Sequence, residues 1–147
     1  MKFSMTHTFT VTAPQTKVFA ALVDPAVIQK CIDGCEKMEQ TGDDSYAAHL
    51  KIGVAGIQRI YIGKVRIADQ KSPESFTLHA EVKGKPGWVQ GTGKIEISPK
   101  DQGSELRCES EGQVGGVIAA VGSRLVEAAG KKMMNEFFRK LGQQLGG

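Results

Sequence analysis

The sequence lacks a long apolar run, a leader-like start and an even set of cysteines. The uncharged stretch of residues 114–123 is far shorter than the roughly 20 apolar residues that a membrane-spanning helix needs. Residues 1–5 do not show the apolar core of a signal peptide. Three cysteines in a chain of 147 residues fit reduced thiols better than a disulfide framework. We therefore expect a cytoplasmic protein.

A concentration of charge of one sign is also missing. The net charge is +3, and the lysines and arginines are spread among acids, whereas nucleic-acid-binding surfaces are strongly basic. We therefore expect no nucleic-acid partner. Hydrophobic residues make up 40% of the chain, which argues against disorder. The length predicts one domain that spans residues 1–147.

Alternating side chains predict strands through most of the chain. The first strand places five residues on one face: Phe3, Met5, His7, Phe9 and Val11. Residues 45–97 predict further hairpin strands, with a bulge at residues 60–63. The last strand, residues 104–114, also alternates. Because each strand after the first has a charged face, we predict an antiparallel sheet with one solvent-exposed face and one buried face.

Helical spacing occurs on both sides of this strand region. Two short helices are predicted after the first strand, the second capped by Asp24 with Pro25 at its first position and stopped by Gly34. At Gly115-Gly116 the period of apolar residues changes, and residues 117–145 predict one long helix. The order predicts an α+β fold: a curved antiparallel sheet wraps around a long C-terminal helix, and two short helices close one end.

Several short sequence motifs are spread along nearly the whole chain, and their order and spacing together are informative. They are Phe9-Thr10-Val11 with Ala13-Pro14, Val18-Phe19, Asp24-Pro25, Cys31-Ile32-Asp33-Gly34-Cys35-Glu36, Gly63-Lys64-Val65-Arg66-Ile67-Ala68-Asp69, Gly91-Thr92-Gly93 and Val114-Gly115-Gly116-Val117-Ile118-Ala119-Ala120-Val121-Gly122. Through them the sequence resembles the carbon monoxide dehydrogenase G-subunit (CoxG) family. That family is a branch of the helix-grip (SRPBCC) superfamily of START domains, polyketide cyclases and Bet v 1 allergens. It usually carries Pro-Gly-Cys where this chain has Asp33-Gly34-Cys35.

The resemblance implies a helix-grip fold and an accessory role. A protein of this kind holds an apolar small molecule, lipid or quinone-like, and serves a molybdenum hydroxylase of the carbon monoxide dehydrogenase type. The resemblance also implies at most peripheral contact with the inner face of a membrane.

Small residues dominate the inward positions of the last two strands, at Gly91, Gly93, Cys108, Ser110 and Gly112. They indicate either close packing and sheet bending or space for a ligand. A small-residue stripe on the predicted helix supports the second alternative. The predicted cavity lining is Met5, His7, Phe9, Tyr61, Gly91, Gly93, Cys108, Ser110, Gly112, Ala119, Gly122 and Met133. We expect Gly112→Leu to reduce ligand binding with little loss of fold.

Inward titratable groups are few. Only His7 and Tyr61 are candidates, and two such groups are few for acid–base catalysis. We therefore rank a binding protein above a cyclase-like or hydratase-like enzyme. A structural assembly factor with a filled cavity stays a third hypothesis. Cys31 and Cys35 lack two further ligands at a familiar spacing, so we expect thiols rather than a metal site. We expect no catalytic residue and no cofactor.

A basic turn precedes the only tryptophan of the chain, Trp88. The turn carries Lys83 and Lys85. Such a turn can contact a partner or a membrane surface, although its commoner role is a hairpin tip in which the tryptophan covers a gap. This turn, or an open sheet edge, could also support a homodimer.

Overall fold

One antiparallel sheet dominates the computed structural model, which describes residues 1–54, 57–85 and 87–146 and gives side chains for all of these except 52–54 and 57–59. Within this part of the chain the strands are β1 (Lys2–Val11), β2 (Cys35–Gly42), β3 (Ser45–Val54), β4 (Ile57–Lys71), β5 (Ser75–Gly84), β6 (Gly87–Lys100) and β7 (Gly103–Gly116). Their order in the sheet is β1-β7-β6-β5-β4-β3-β2. The first and last strands of the sequence are therefore neighbours.

Two short helices follow β1, and a long helix ends the fold. They are α1 (Gln15–Leu22), α2 (Pro25–Cys31) and α3 (Ser123–Gln144). The side chain of Asp24 accepts a hydrogen bond from the Ala26 amide at 3.0 Å, which confirms the predicted cap. Gly34 adopts a φ of 83° after α2, as a helix stop requires. The predicted α+β arrangement of a curved sheet and a C-terminal helix is confirmed.

The long helix begins later than predicted. Gly116 has a φ of 80°, a 3-10 helix follows at Val117–Val121, and Gly122 has a φ of 94°. The prediction of one helix over residues 117–145 is therefore wrong. Both glycines adopt left-handed conformations that other residues rarely take. A 3-10 helix repeats every three residues, so its apolar period resembles that of an α-helix.

The predicted bulge at residues 60–63 is also wrong. Pairing between β3 and β4 continues without a shift from Ser45 opposite Arg66 to Val54 opposite Ile57. Ile60 and Ile62 occupy outward positions and are exposed, whereas Tyr61 between them is buried. Two isoleucines on the outer face therefore produced the imperfect alternation. The alternation also failed to define β2, because most of its side chains are exposed on both faces.

The buried residues form two separate clusters within the described part of the chain. The larger one, which we call the packed end, consists of Val11, Ala13, Val18, Phe19, Ala21, Leu22, Cys31, Ile67, Phe76, Ile97, Leu106, Cys108, Phe138 and Leu141. The second cluster consists of Ala48, Leu50, Tyr61, Val114 and Ile118. A buried hydrogen bond also stabilises the packed end: the hydroxyl of Ser104 donates to the carbonyl of Ala13 at 2.7 Å.

Candidate functional site

A strip of half-buried inward positions lies between the two clusters. The middle strip, as we call it, consists of Met5, Val65, Ala80, Gly91, Gly93, Ser110 and Gly112, which belong to neither cluster. Pairing places Gly112, Gly91, Ala80 and Val65 in one row across β7, β6, β5 and β4. Met5, Ser110 and Gly93 form the next inward row. The inner face of the sheet is thus lined by small side chains where the core is interrupted.

The glycines of the middle strip are not equivalent. A Cβ on Gly112 would lie 2.3 Å from the carbonyl oxygen of Gln90 and 2.8 Å from the Cα of Gly91. The backbones of β6 and β7 approach too closely there for any side chain, so the expectation that Gly112→Leu spares the fold is wrong. A Cβ on Gly93 would meet only the Ser110 hydroxyl oxygen at 3.4 Å and the Glu109 carbonyl at 3.9 Å. Gly112 therefore serves close packing, whereas Gly93 leaves room.

Helix α3 closes one side of the middle strip through Met5. A Cβ on Gly130 would lie 2.9 Å from the terminal methyl of Met5, so the glycine makes room for a side chain that reaches from β1 to the helix. Met134 is half-buried and packs against the packed end. The predicted lining residue Met133 is 42% exposed instead. The methionine of α3 that faces the sheet is therefore Met134.

A concavity of about 1230 Å³, open to solvent, crosses the sheet at this level. Three consecutive residues from each of six strands, β1 and β3 to β7, contribute to it, so residues of both faces line it. Phe3, Gly91, Gly112 and the α3 carboxylate Glu127 are among its walls. Glu127 was not among the residues predicted from the sequence. Its helical spacing to Gly130 and Met134, three and seven residues later, was the available signal.

Three predicted lining residues lie at the packed end. The His7 ring stacks on Phe9 and on Phe138, each at a centroid distance of 6.3 Å, and Phe9 lies 5.2 Å from Phe138. Cys108 pairs with His7 across the strands and is buried. Burial raises the pKa of the Cys108 thiol to about 12. This region is thus an aromatic contact between β1 and α3 beside an unreactive thiol.

The remaining predicted residues lie near the second cluster and the start of α3. Tyr61 is a member of the second cluster, and Ala119 packs against it from the 3-10 helix. Tyr61 also fills the space beside Gly84, where a Cβ would lie 2.7 Å from its ring. Gly122 occupies the break before α3, and a Cβ there would meet no atom within 4 Å. Apart from the exposed Met133, the structure therefore distributes the predicted set over the middle strip and both of its borders.

The region that departs from the Pro-Gly-Cys pattern connects α2 to β2 and contacts α3. The Lys140 ammonium donates a hydrogen bond to the Asp33 carboxylate. Burial raises the pKa of Cys31, partly offset by the charge of Lys140, and burial also raises the pKa of Cys35. Both thiols are therefore less acidic than an unperturbed thiol. Within the described residues, no three His, Cys, Asp or Glu side chains are grouped as a metal site would require.

A comparison with protein-family models shows to which family the chain belongs. The model of the carbon monoxide dehydrogenase G-subunit (CoxG) matches residues 8–146. The chain belongs to the CoxG family. No curated protein matches its sequence. Among the residues that the structure describes, no helix of this CoxG-family chain is long and apolar enough to span a membrane.

Several solved structures have the same fold as this CoxG-family chain. A conserved protein from Geobacillus kaustophilus is 30% identical, with a TM-score of 0.94 over 98% of this chain and 95% of its own. A START superfamily protein from Mycobacterium smegmatis is 9% identical, with a TM-score of 0.73 over 97% of each chain. The di-domain ARO/CYC protein StfQ of the steffimycin biosynthetic pathway is also 9% identical, with a TM-score of 0.70 over 99% of this chain and 51% of its own. The CoxG family thus shares the START and cyclase helix-grip fold.

Proposed function

We propose that this protein binds an apolar small molecule, lipid or quinone-like, against the middle strip of the sheet. The observation that carries the proposal is the interruption of the core between the packed end and the second cluster. Val65, Ala80 and Gly93 belong to central strands with a neighbour on each side, yet they are only half-buried. Central positions of a filled core would be fully buried. An apolar ligand would gain hydrophobic stabilisation by covering them.

A cyclase-like or hydratase-like enzyme receives less support from the placement of the titratable residues. His7 stacks within the aromatic contact at the packed end, whereas Tyr61 belongs to the second cluster. Acid–base catalysis needs such groups within hydrogen-bond reach of one reacting centre. Cys108 is buried, and its pKa is raised to about 12, so it is no nucleophile at neutral pH. Binding therefore ranks above catalysis.

The direct test is to look for the ligand in the purified protein. Native mass spectrometry, followed by solvent extraction, should find an apolar molecule that leaves the protein on denaturation. Purified apo protein should then bind a fluorescent apolar probe. A protein that carries no such molecule and binds no probe would contradict the proposal.

A larger apolar side chain placed in the middle strip should weaken the binding of the apolar probe. Gly93→Leu adds apolar volume where a Cβ meets no atom closer than 3.4 Å, and we expect it to weaken probe binding at least about tenfold, a change of about 1.4 kcal/mol. Lys94→Leu is the matched control, because it adds the same side chain at the next residue, which is exposed on the other face. Equal binding by Gly93→Leu and wild type, with both folded, would place the ligand elsewhere.

We further propose that the ligand serves a molybdenum hydroxylase of the carbon monoxide dehydrogenase type. Membership of the CoxG family supports this partner. In the source organism, deletion of the gene should lower the activity of such a hydroxylase encoded nearby. Wild-type protein should restore that activity and the Gly93→Leu variant should not. Full hydroxylase activity in the deletion strain would count against the partner.

A further inference from the structure

Helix α3 presents one charged side chain to the concavity. The residues of α3 that contact the two clusters or Met5 are apolar or glycine: Val126, Gly130, Met134, Phe137, Phe138 and Leu141. Glu127 lies three residues before Gly130 and seven before Met134, so it continues this inward stripe. It is half-buried, and among the described residues it is the one residue of α3 that lines the concavity. A carboxylate therefore occupies a position where the stripe is otherwise apolar.

The sheet side of the concavity is apolar. One inward row crosses β1, β7, β6, β5, β4 and β3 at Phe3, Gly112, Gly91, Ala80, Val65 and Tyr46. The Phe3 ring lies over the two glycines, because a Cβ on Gly112 would lie 2.9 Å from it and one on Gly91 3.5 Å. Outward positions of the strands hold the other charged residues of the lining, namely Lys2, Lys64, Arg66, Glu81 and Glu111. In the described part of the chain, Glu127 is thus the charged group on the inner side.

No side chain among the described residues neutralises Glu127. In that part of the chain, the α3 side chains that form hydrogen bonds or ion pairs are Glu136, Arg139 and Lys140. Arg124 and Lys131, three residues before and four after Glu127, are exposed. A carboxylate accepts hydrogen bonds and donates none. An apolar molecule that covered Glu127 without a donor would remove its water and leave its oxygens unsatisfied, which costs free energy.

We infer that the molecule bound against the middle strip carries a hydroxyl or amino group, which donates a hydrogen bond to Glu127. The inference rests on the proposed function and narrows its class of ligand. The hydrocarbon part covers the inward row between Phe3 and Tyr46, and the donor group meets the carboxylate of α3. A fatty-acid anion fits poorly, because two carboxylates would face each other away from water. A ligand whose polar groups are all carbonyls also fits poorly, because it has no proton to donate.

The test is a competition among three molecules that have the same hydrocarbon chain and different polar ends. Decanol, decylamine and decanoate, each below the concentration at which it forms micelles, displace Nile red from the purified apo protein. We expect decylamine and decanol to bind about tenfold more tightly than decanoate. Glu127→Gln should weaken decylamine about tenfold and change decanol by no more than about twofold, because the amide oxygen still accepts a hydrogen bond. Glu127→Lys should reverse the order, so that decanoate binds most tightly.

Matched controls separate the contact with Glu127 from a general effect of charge. Glu111→Gln removes the same charge beside Gly112 on the outer face, where Glu111 is exposed, and should leave the order unchanged. Gly93→Leu should weaken all three molecules alike. Equal binding of the three by the wild type, an order that survives in a folded Glu127→Lys variant, or an equal effect of Glu111→Gln would overturn this inference alone. Failure of the wild type to bind Nile red or any of the three molecules would overturn the proposed function, and this inference with it.

Discussion

The packed end and the middle strip belong to the same sheet but are built differently. At the packed end, Phe76, Ile97 and Leu106 are buried beneath α1, α2 and the last turns of α3. Four residues away on the same strands, the inward side chains are Ala80, Gly93 and Ser110, and they are half-buried. The difference indicates that stability is concentrated at one end of the sheet, which leaves the middle free to be shaped for a ligand.

The largest expected effect comes from a cavity at the packed end. Leu106→Ala removes a fully buried side chain and should lower the free energy of unfolding by about 2–5 kcal/mol. Val65→Ala in the middle strip should cost about 1 kcal/mol or less, because its side chain is already partly exposed to solvent. Urea denaturation of both variants measures the contrast. Equal losses would mean that the middle strip is packed as tightly as the packed end.

The next effect separates two glycines of the middle strip. Gly112→Ala forces a Cβ within 2.3 Å of the Gln90 carbonyl oxygen and should destabilise the fold by about 1–3 kcal/mol. Gly93→Ala fits the available space and should change stability by no more than about 0.5 kcal/mol. Thermal unfolding of the two variants provides the measurement. If Gly93→Ala were the more damaging change, the assignment of open space to that position would be wrong.

Alkaline pH should weaken the packed end through Cys108. Its thiol has a pKa of about 12 in the folded protein, against 9.0 for an unperturbed thiol. The unfolded chain therefore loses this proton first, and the free energy of unfolding should fall as the pH rises from about 9 towards 12. Cys108→Ala should flatten this dependence, as denaturant titrations across that range would reveal. An unchanged slope in the variant would show that other groups cause the alkaline loss.

The smallest effect concerns the contact between the α2–β2 connection and α3. Asp33→Asn removes the charge that pairs with Lys140, whose side chain is only partly exposed while that of Asp33 is largely exposed. We expect a loss of no more than about 1 kcal/mol, which falls further at high salt. The exposed pair of Glu136 and Arg139 offers a control through Glu136→Gln. A loss above about 2 kcal/mol at position 33, on the order of a broken buried pair, would contradict this ranking.

Much of the fold followed from local signals in the sequence. Alternation predicted β1 and β7, and the cap at Asp24 and the stop at Gly34 fixed the second short helix. The start of α3 did not follow, because Gly116 and Gly122 are compatible with a helix in sequence and adopt positive φ only in the assembled chain. That late start also changed the helical phase. A helical face that is extrapolated from Ala119 or Gly122 therefore does not identify Met133 correctly as an inward residue.

The site was partly predictable for a similar reason. Sequence alternation identified the small inward residues, among them Gly91, Gly93 and Ser110. It could not separate a glycine that lacks space from one that leaves space, because that depends on the distance between backbones of neighbouring strands. The contact of Met5 with Gly130 joins residues far apart in sequence, so no local pattern carries it.

The pairing of β1 with β7 has a consequence for synthesis. Lys2 lies opposite Gln113, and Val11 lies opposite Ser104, so β1 cannot pair in this way until residues 104–113 have left the ribosome. The other neighbours in the sheet are joined by successive hairpins and can pair in turn. Because contacts between distant residues form slowly, closure by β1 should be the late step. Until that step is complete, the edge of β7 that β1 later covers is unpaired, and exposed strand edges of this kind favour aggregation.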